Sequence, residues 1–377
     1  MHAVRNALII GGGIGGLSAA IALAKLGIKT EVAEIHQDWK VYHIGIVVQA
    51  NFIRAMTALG IADQAVAVGY PFGHVTFQDL HGNHLKTLQS DRLAGPNYPA
   101  RLGLTRPALH KVLFDAAREA GAQIRQGTSF THIEQDDTAV HVTFTDGTRG
   151  EYDIVIGADG IYSQVRAHLF GTEHQPRFTG QGTWRYNVAR PPELTHAINC
   201  RGVGLPFGTC GFIPLTQSTG YIWLVQAEPG NPRHPQDQLA NIFRDRLNGC
   251  TGMVARLRDQ IVDASQVVYR PLESLSLPPP WYRGRVILIG DAVHATTPHL
   301  GQGSAQAVED AVVLGELLAR NASLPALFDE FMQRRYERCR FIVESSLKIG
   351  EWEQHPERAG DAMALTARML EVVAAPI

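Results

Sequence analysis

Ala7-Leu8-Ile9-Ile10-Gly11-Gly12-Gly13-Ile14-Gly15-Gly16 carries an apolar strand into a glycine-rich turn, and the chain on either side of it decides the fold. A small-residue helix follows from about Gly15 to Leu26, Gly27 stops it, and a second strand runs from Lys29 to Ala33. Strand, turn, helix and strand make a βαβ unit. Gly11, Gly13 and Gly16 fit G-x-G-x-x-G: the first allows a tight turn, the second lets backbone approach a pyrophosphate, and the third lets helix and strand touch. The helix that opens at Gly15 offers free N–H groups to an anion. Glu34 ends the second strand, 18 residues after Gly16, where a carboxylate accepts the ribose hydroxyls of an adenine nucleotide. The unit reads as a dinucleotide site, and by itself it does not separate NAD from FAD.

Working outward, helical stretches run from Gln49 to Leu59 and from Pro107 to Ala120, ended by Gly60 and Gly121. From Ile124 to Ile156 the period changes to two, with Ala139 to Thr145 alternating, Asp146-Gly147 as a hairpin turn and Tyr152 to Ile156 as a fresh apolar strand. His81-Gly82-Asn83-His84 reads as another turn. The stretch from about Phe178 to Val268 is rich in Pro, Gly and aromatic residues and contains the strand Tyr221 to Val225, so it reads as an inserted second domain. Beyond Pro278-Pro279-Pro280 come a strand, Arg285 to Ile289, and a long helix from about Gly303 to Leu318. The run Arg334-Arg335-Tyr336-Glu337-Arg338 reads as a solvated helix face.

At 377 residues, 45% hydrophobic and 19% charged, the chain is long enough for two packed domains, and disorder and fibrous folds are excluded. The net charge of -2 gives no electrostatic reason for nucleic acid or an acidic membrane as partner, which leaves small-molecule chemistry. Cys200, Cys210, Cys250 and Cys339 lack C-x-x-C spacing and read as reduced thiols. No signal peptide is evident and no run of 18 apolar residues occurs, so a cytoplasmic protein, monomer or homodimer, is expected.

Two later motifs each put an acid–glycine pair at the end of a buried strand: Asp153-Ile-Val-Ile-Gly-Ala-Asp159-Gly160, followed by Ser163 and Arg166, and Arg285-Val-Ile-Leu-Ile-Gly290-Asp291-Ala-Val-His294. With Pro298-His299-Leu300-Gly301-Gln302-Gly303 and Glu309-Asp310-Ala311, they resemble the class A FAD-dependent aromatic hydroxylases, the flavoprotein monooxygenase family of p-hydroxybenzoate, salicylate and urate hydroxylases. The resemblance spans residues 5 to about 340 in the same order. It implies an α/β fold, a Rossmann-like FAD-binding domain with an inserted β-sheet substrate domain. The expected FAD-binding domain is residues 1–72, 99–172 and 270–343, the substrate domain 73–98 and 173–269, and the C-terminal helical tail 344–377.

By that resemblance Asp291 hydrogen-bonds the FAD ribityl chain, Gly301, Gln302 and Gly303 open a helix beneath the flavin pyrimidine, and Arg106, Asp159, Gly160 and Gly290 complete the cofactor contacts. NADH or NADPH reduces FAD, O₂ adds to give a flavin C4a-hydroperoxide, and the aromatic substrate attacks its distal oxygen, with no metal. Candidate substrate-side residues are Arg185, Tyr221 with Trp223 two residues on, and Pro298-His299. Tyr221 and Trp223 also read as strand-face packing, and Arg185 as a surface residue. His294 and His299, five apart, are a poor metal pair because Pro298 interrupts the helix. Three positions depart from the family pattern, Ile35, Ala50 and Ala305, and none is assigned a role. An epoxidase or Baeyer–Villiger-type oxygenase on this fold, or a non-oxygenase flavin-binding protein, would share every cofactor motif.

Overall fold

The computed structural model describes residues 4–39, 43–200, 208–358 and 360–377. The chain lays down β1 (Asn6–Ile10), α1 (Ile14–Ala24) and β2 (Lys29–Glu34), then β3 (Gly45–Gln49), α2 (Ala50–Leu59), α3 (Ala62–Val68) and β4 (Tyr70–Phe72). The hairpin β5 (His74–Gln78) and β6 (His84–Gln89) follows, then β7 (Arg101–Thr105), α4 (Arg106–Glu119) and β8 (Gln123–Gln126). Next come β9 (Phe130–Gln135), β10 (Val140–Phe144), β11 (Arg149–Tyr152), β12 (Ile154–Gly157) and α5 (Gln164–Phe170). A long strand, β13 (Arg177–Ala189), leads to β14 (Ala197–Cys200), β15 (Thr209–Pro214), β16 (Thr219–Ala227), α6 (Leu239–Arg246), α7 (Gly252–Arg258) and β17 (Val268–Ser274). The remainder holds β18 (Tyr282–Arg283), β19 (Val286–Leu288), α8 (Asp291–His294), α9 (Gly303–Leu318), α10 (Leu324–Gln354) and α11 (Ala362–Ala374).

The first sheet runs β18-β19-β12-β1-β2-β8, parallel except at β18. Its central strands are apolar throughout because helices cover both faces, so β1 and β12 bury every residue from Ala7 to Ile10 and from Ile154 to Gly157. The second large sheet runs β17-β13-β16-β15-β14-β5-β6. Along β16 the pleat sorts side chains by parity: Ile222 and Leu224 join Trp184 and Phe212 in a core against α6 and α7, while Tyr221 and Trp223 join Phe72, Val75, Phe77 and Ile213 on the other face. That other face looks back at the first sheet. Two three-stranded sheets, β11-β10-β9 and β3-β7-β4, flank the pair. No described helix is long and apolar enough to cross a membrane.

Four expectations need correction. The run Tyr152 to Ile156 is not one strand: Tyr152 ends β11 in one sheet and Ile154 begins β12 in another. Between them the Asp153 carboxylate accepts the N–H groups of Arg5 at 2.6 Å and Asn6 at 3.0 Å, fixing the corner. The run Arg334 to Arg338 is not a solvated face, because Arg335 is fully buried and Arg338 nearly so, each turned toward acids on α9. The residues from 344 onward are not a tail, since α10 continues unbroken to Gln354 and α11 folds back over the interior. The expected boundary at 269 falls inside β17. All four cysteines are free and buried, and Cys200 and Cys210 stand opposite each other on β14 and β15.

Candidate active site

A cavity of about 700 Å³ lies between the two large sheets. At one end are the β1–α1 turn, Glu34 and Trp39; Arg106, Asp291 and the start of α9 line its middle; the face of the second sheet closes the far end. The turn is shaped by glycine. Gly11 has φ +108°, and a Cβ there would lie 2.4 Å from the Ala158 carbonyl oxygen, while a Cβ on Gly16 would lie 1.9 Å from that of Gly11. A Cβ on Gly13 would meet nothing, so that backbone faces open space, and Gly15 also lines the cavity. Neither α1 nor α9 has a side-chain cap or an acid in its first turn, so the N–H groups of both helix starts are offered to the cavity.

Glu34 closes β2 with its carboxylate accepting Gly12 N–H at 2.8 Å and His36 N–H at 2.9 Å, which leaves lone pairs for hydroxyl donors. Trp39 lies over Gly12, its ring 4.6 Å from that of His110 and 5.2 Å from that of Phe114. His110 sits 3.1 Å from the Gly12 carbonyl, and burial pushes its pKa below the usual histidine range. Nothing in the sequence pattern marks Trp39 or His110.

Asp291, on α8, opens onto the cavity although protein surrounds it. That enclosure pushes its pKa up, His294 and Arg106 pull against the shift, and Asp310 adds to it. No hydrogen bond to its carboxylate is found among the described residues. Gly290 lines the cavity beside it, held by its N–H donating to Asp310 at 2.9 Å. Asp159 behaves differently from its expected role. Its carboxylate accepts Ser163 Oγ at 2.5 Å, Gln164 N–H at 2.7 Å and Val165 N–H at 3.1 Å, so it starts α5, and its neighbours Ala158 and Gly160 line the cavity instead.

Gly301, Gln302 and Gly303 line the cavity at the start of α9. The Gln302 side chain is withdrawn and fully buried, receiving Asn51 Nδ2 at 3.0 Å and donating back at 3.2 Å. Gln49 donates to the carbonyls of Leu300 at 2.6 Å and Gly301 at 3.0 Å. Gln49 and Asn51 therefore set the loop before α9. Sequence reasoning assigned neither a role.

On the second sheet Arg185, Tyr221 and Trp223 all line the cavity, with Arg185 opposite Trp223 across β13 and β16. Burial and the like charge of Arg106 push the Arg185 pKa down to about 10, so it stays cationic at neutral pH. Burial raises the Tyr221 phenol, partly offset by the two arginines, so it stays protonated. Arg106 thus couples electrostatically to Asp291 on one side and to Arg185 and Tyr221 on the other. Pro298 lines the cavity in the turn Pro298–Leu300. His299 also borders it, yet its ring packs against α10 at Gly350. Nδ1 meets Thr297 Oγ1 at 2.8 Å, and Nε2 lies 3.2 Å from Glu353 Oε2, close enough for charge attraction but off the line of a hydrogen bond. His299 is thereby a scaffold for the turn.

Ligand atoms of His294, Asp310 and Cys339 lie within 4.8 Å of one another. Arg335 occupies that group, with Nε 2.7 Å from Asp310 Oδ1 and Nη2 3.4 Å from Cys339 Sγ, so a metal ion there would meet a guanidinium at contact distance. The same arginine reaches Glu309 at 2.8 Å, and Arg338 reaches Glu309 at 2.9 Å. The cluster ties α9 to α10 beneath the cavity.

A family model described as FAD binding domain matches residues 5–346. The chain is similar to 2-heptyl-3-hydroxy-4(1H)-quinolone synthase of Pseudomonas aeruginosa, 33% identical over 358 residues, covering 92% of this chain and 90% of that one. It is similar to the FAD-dependent urate hydroxylase of Klebsiella oxytoca, 30% identical over 360 residues, covering 91% and 89%. The crystal structure of Klebsiella pneumoniae HpxO complexed with FAD and uric acid superposes with a TM-score of 0.84 at 27% identity, covering 98% of this chain and 92% of that one.

Proposed function

The chain belongs to the FAD binding domain family of flavin monooxygenases, and from that premise we propose that it consumes NAD(P)H and O₂ to hydroxylate a small aromatic or heteroaromatic compound. The observation that carries this reading is the continuous cavity joining the glycine turn and Glu34, through Asp291 and α9, to Arg185 and Tyr221.

The residues present fit FAD. An uncapped helix start suits a pyrophosphate, and the unpartnered Asp291 carboxylate suits a row of hydroxyl donors. In this reading Gly11, Gly13, Gly15 and Gly16 cradle the pyrophosphate, Glu34 accepts ribose hydroxyls, and Gly160, Gly290, Asp291 and Arg106 line the ribityl path. Gly301, Gln302 and Gly303 aim backbone N–H groups at the flavin ring, where the helix dipole favours negative charge. When bound, FAD supplies the redox chemistry, taking two electrons from NAD(P)H and activating O₂. In this reading the first sheet and its helices form the FAD-binding part, and residues 73–98 with 173 to the end of β17 at Ser274 the substrate part.

On the substrate side, Arg185 is a cation held in a largely apolar wall, so it attracts an anionic or strongly dipolar ring oxygen. Tyr221 donates its phenol proton to the same oxygen and holds the ring in register. Pro298 and Trp223 exclude water from the reacting edge.

The test is a panel of hydroxybenzoates, hydroxypyridines, purines and 4(1H)-quinolones, scored with purified FAD-loaded protein by stimulated NADH and NADPH oxidation and by product mass. The expected result is oxidation that rises with one ring class and a product heavier by one oxygen. Flavin-containing protein that oxidises NAD(P)H at the same rate with and without every ring compound, and yields no oxygenated product, would overturn the proposal.

A further inference from the structure

The C-terminal helix α11 reaches both sides of the cavity. Met363, Thr366 and Met369 recur at intervals of three and so share one helix face. Met363 packs against the apolar cluster on the face of the second sheet that includes Phe72, Val75, Phe77 and Tyr221. Met369, buried, packs against Leu300 in the turn before α9 and against Ile342 and Ile349 of α10. Between these anchors Thr366 lines the cavity, and Met369 borders it as well.

The helix is held from behind. Its terminal carbonyls have no partners within the helix, and two arginines supply them: Arg54 of α2 donates to Val373 and Ala374 at 3.0 Å each, and Arg338 of α10 to Val372 at 2.7 Å and Val373 at 3.0 Å. Cations at a helix C-terminus also complement its dipole. At the other end the Asp361 carboxylate accepts the Ala364 N–H at 2.8 Å. A helix fixed at both ends, with a methionine and a threonine facing the cavity, is a built wall. The sheet lines the cavity with Val75, Phe77 and Leu88, and elsewhere with the polar Arg185, Asn199 and Arg270. Beside the three apolar residues the lining suits a hydrocarbon, and methionine adapts its shape to an apolar guest.

Resting on the function proposed above, we propose that α11 is a wall of the substrate chamber and that Thr366 and Met369 set the size of apolar substituent the ring can carry. The enzyme then takes an aromatic ring bearing a hydrocarbon group, the ring oxygen toward Arg185 and Tyr221 and the hydrocarbon between the second sheet and α11.

The test measures dissociation constants from the change in flavin absorbance of the FAD-loaded protein. The probes are 2-hydroxybenzoate and 4(1H)-quinolone, each as the parent ring and with an n-propyl or n-pentyl group. Wild type should bind at least one series more tightly with each added carbon, on the order of twofold or more per carbon. Thr366→Trp and the milder Thr366→Leu should cut the preference for pentyl over parent by tenfold or more and threefold or more respectively, with FAD affinity unaltered. Met369→Ala should move the optimum toward the longer chain. No chain-length preference in wild type, a preference untouched in all three variants, or a loss of FAD affinity that accounts for the change would each overturn the proposal. Its failure differs from failure of the monooxygenase reading, which is judged by NAD(P)H oxidation and product mass and not by chain-length preference in binding.

Discussion

Asp291 opens onto the cavity, and among the described residues no hydrogen bond reaches its carboxylate, so its oxygens are free for hydroxyl donors. In Asp291→Ala, FAD affinity should fall on the order of 10- to 100-fold, the worth of about 1.5–3 kcal/mol for a hydrogen bond to a charged group. Flavin titration checks this, and wild-type FAD affinity in the variant removes the assignment. Tyr221 is tested by Tyr221→Phe, which should keep FAD and fold while lowering kcat/KM with the ring substrate roughly 10- to 100-fold. Unchanged kcat/KM and unchanged peroxide release would return Tyr221 to simple sheet packing. The place of both residues on the cavity was legible in the sequence, Asp291 from its motif and Tyr221 from strand parity. Asp159 was legible only as a motif, because which hydrogen bonds a strand-end acid makes depends on how the next helix begins.

Helices α9 and α10 meet through charges that no water reaches: Arg335, Glu309 and Asp310 are all fully buried. His294 adds a contact of 2.7 Å to Asp310; burial opposes its charge, but Cys339 and Asp310 outweigh it, so its pKa is raised. Breaking one partner of such a group strands the others in a low-dielectric interior. Arg335→Met should cost about 3–5 kcal/mol in urea unfolding, with little change in slope. Arg340→Met, on the exposed side of the same helix and paired with Glu337 and Glu344, should change nothing measurable. Equal, small effects of the two substitutions would mean that the buried cluster contributes little. Composition hid this contrast. A run of arginines on a long helix reads as solvated, and only the facing acids, Glu309 and Asp310 on another helix, reveal that Arg335 points inward. The βαβ unit was readable because its signals are local: apolar strand, glycine turn, terminal acid. The break at Asp153 was not, since it depends on backbone N–H groups nearly 150 residues away.

At the level of the whole molecule, one cavity draws its walls from both sheets and from α11, so a bound cofactor bridges the two parts. Anything that binds the folded state alone stabilises it, by about 2.7 kcal/mol at a hundred times Kd. FAD should thus raise Tm in a concentration-dependent way, and it should slow proteolysis of the second sheet as well as the first. A melting temperature indifferent to FAD would mean that the cavity does not hold the cofactor across both. The inserted sheet was visible in the sequence as a change of texture after Phe178, while the change of period near Ile124 marked the small sheet of β9, β10 and β11. The part played by α11 was not, because nothing local distinguishes a helix that trails from one that folds back. The interleaving of the strands also sets the order in which the protein can be made. β12 pairs with β19, and β5 with β14, each across more than a hundred residues. At roughly 5–20 residues per second, β12 stands unpaired on that side for on the order of 6–26 s while the intervening chain is synthesised. Unpaired edges of this kind invite wrong partners. The strands that complete the two sheets, β17 and β19, leave the ribosome within about 20 residues of each other, so a growing chain closes both sheets almost at once, before α9 and α11 supply the rest of the chamber's lining.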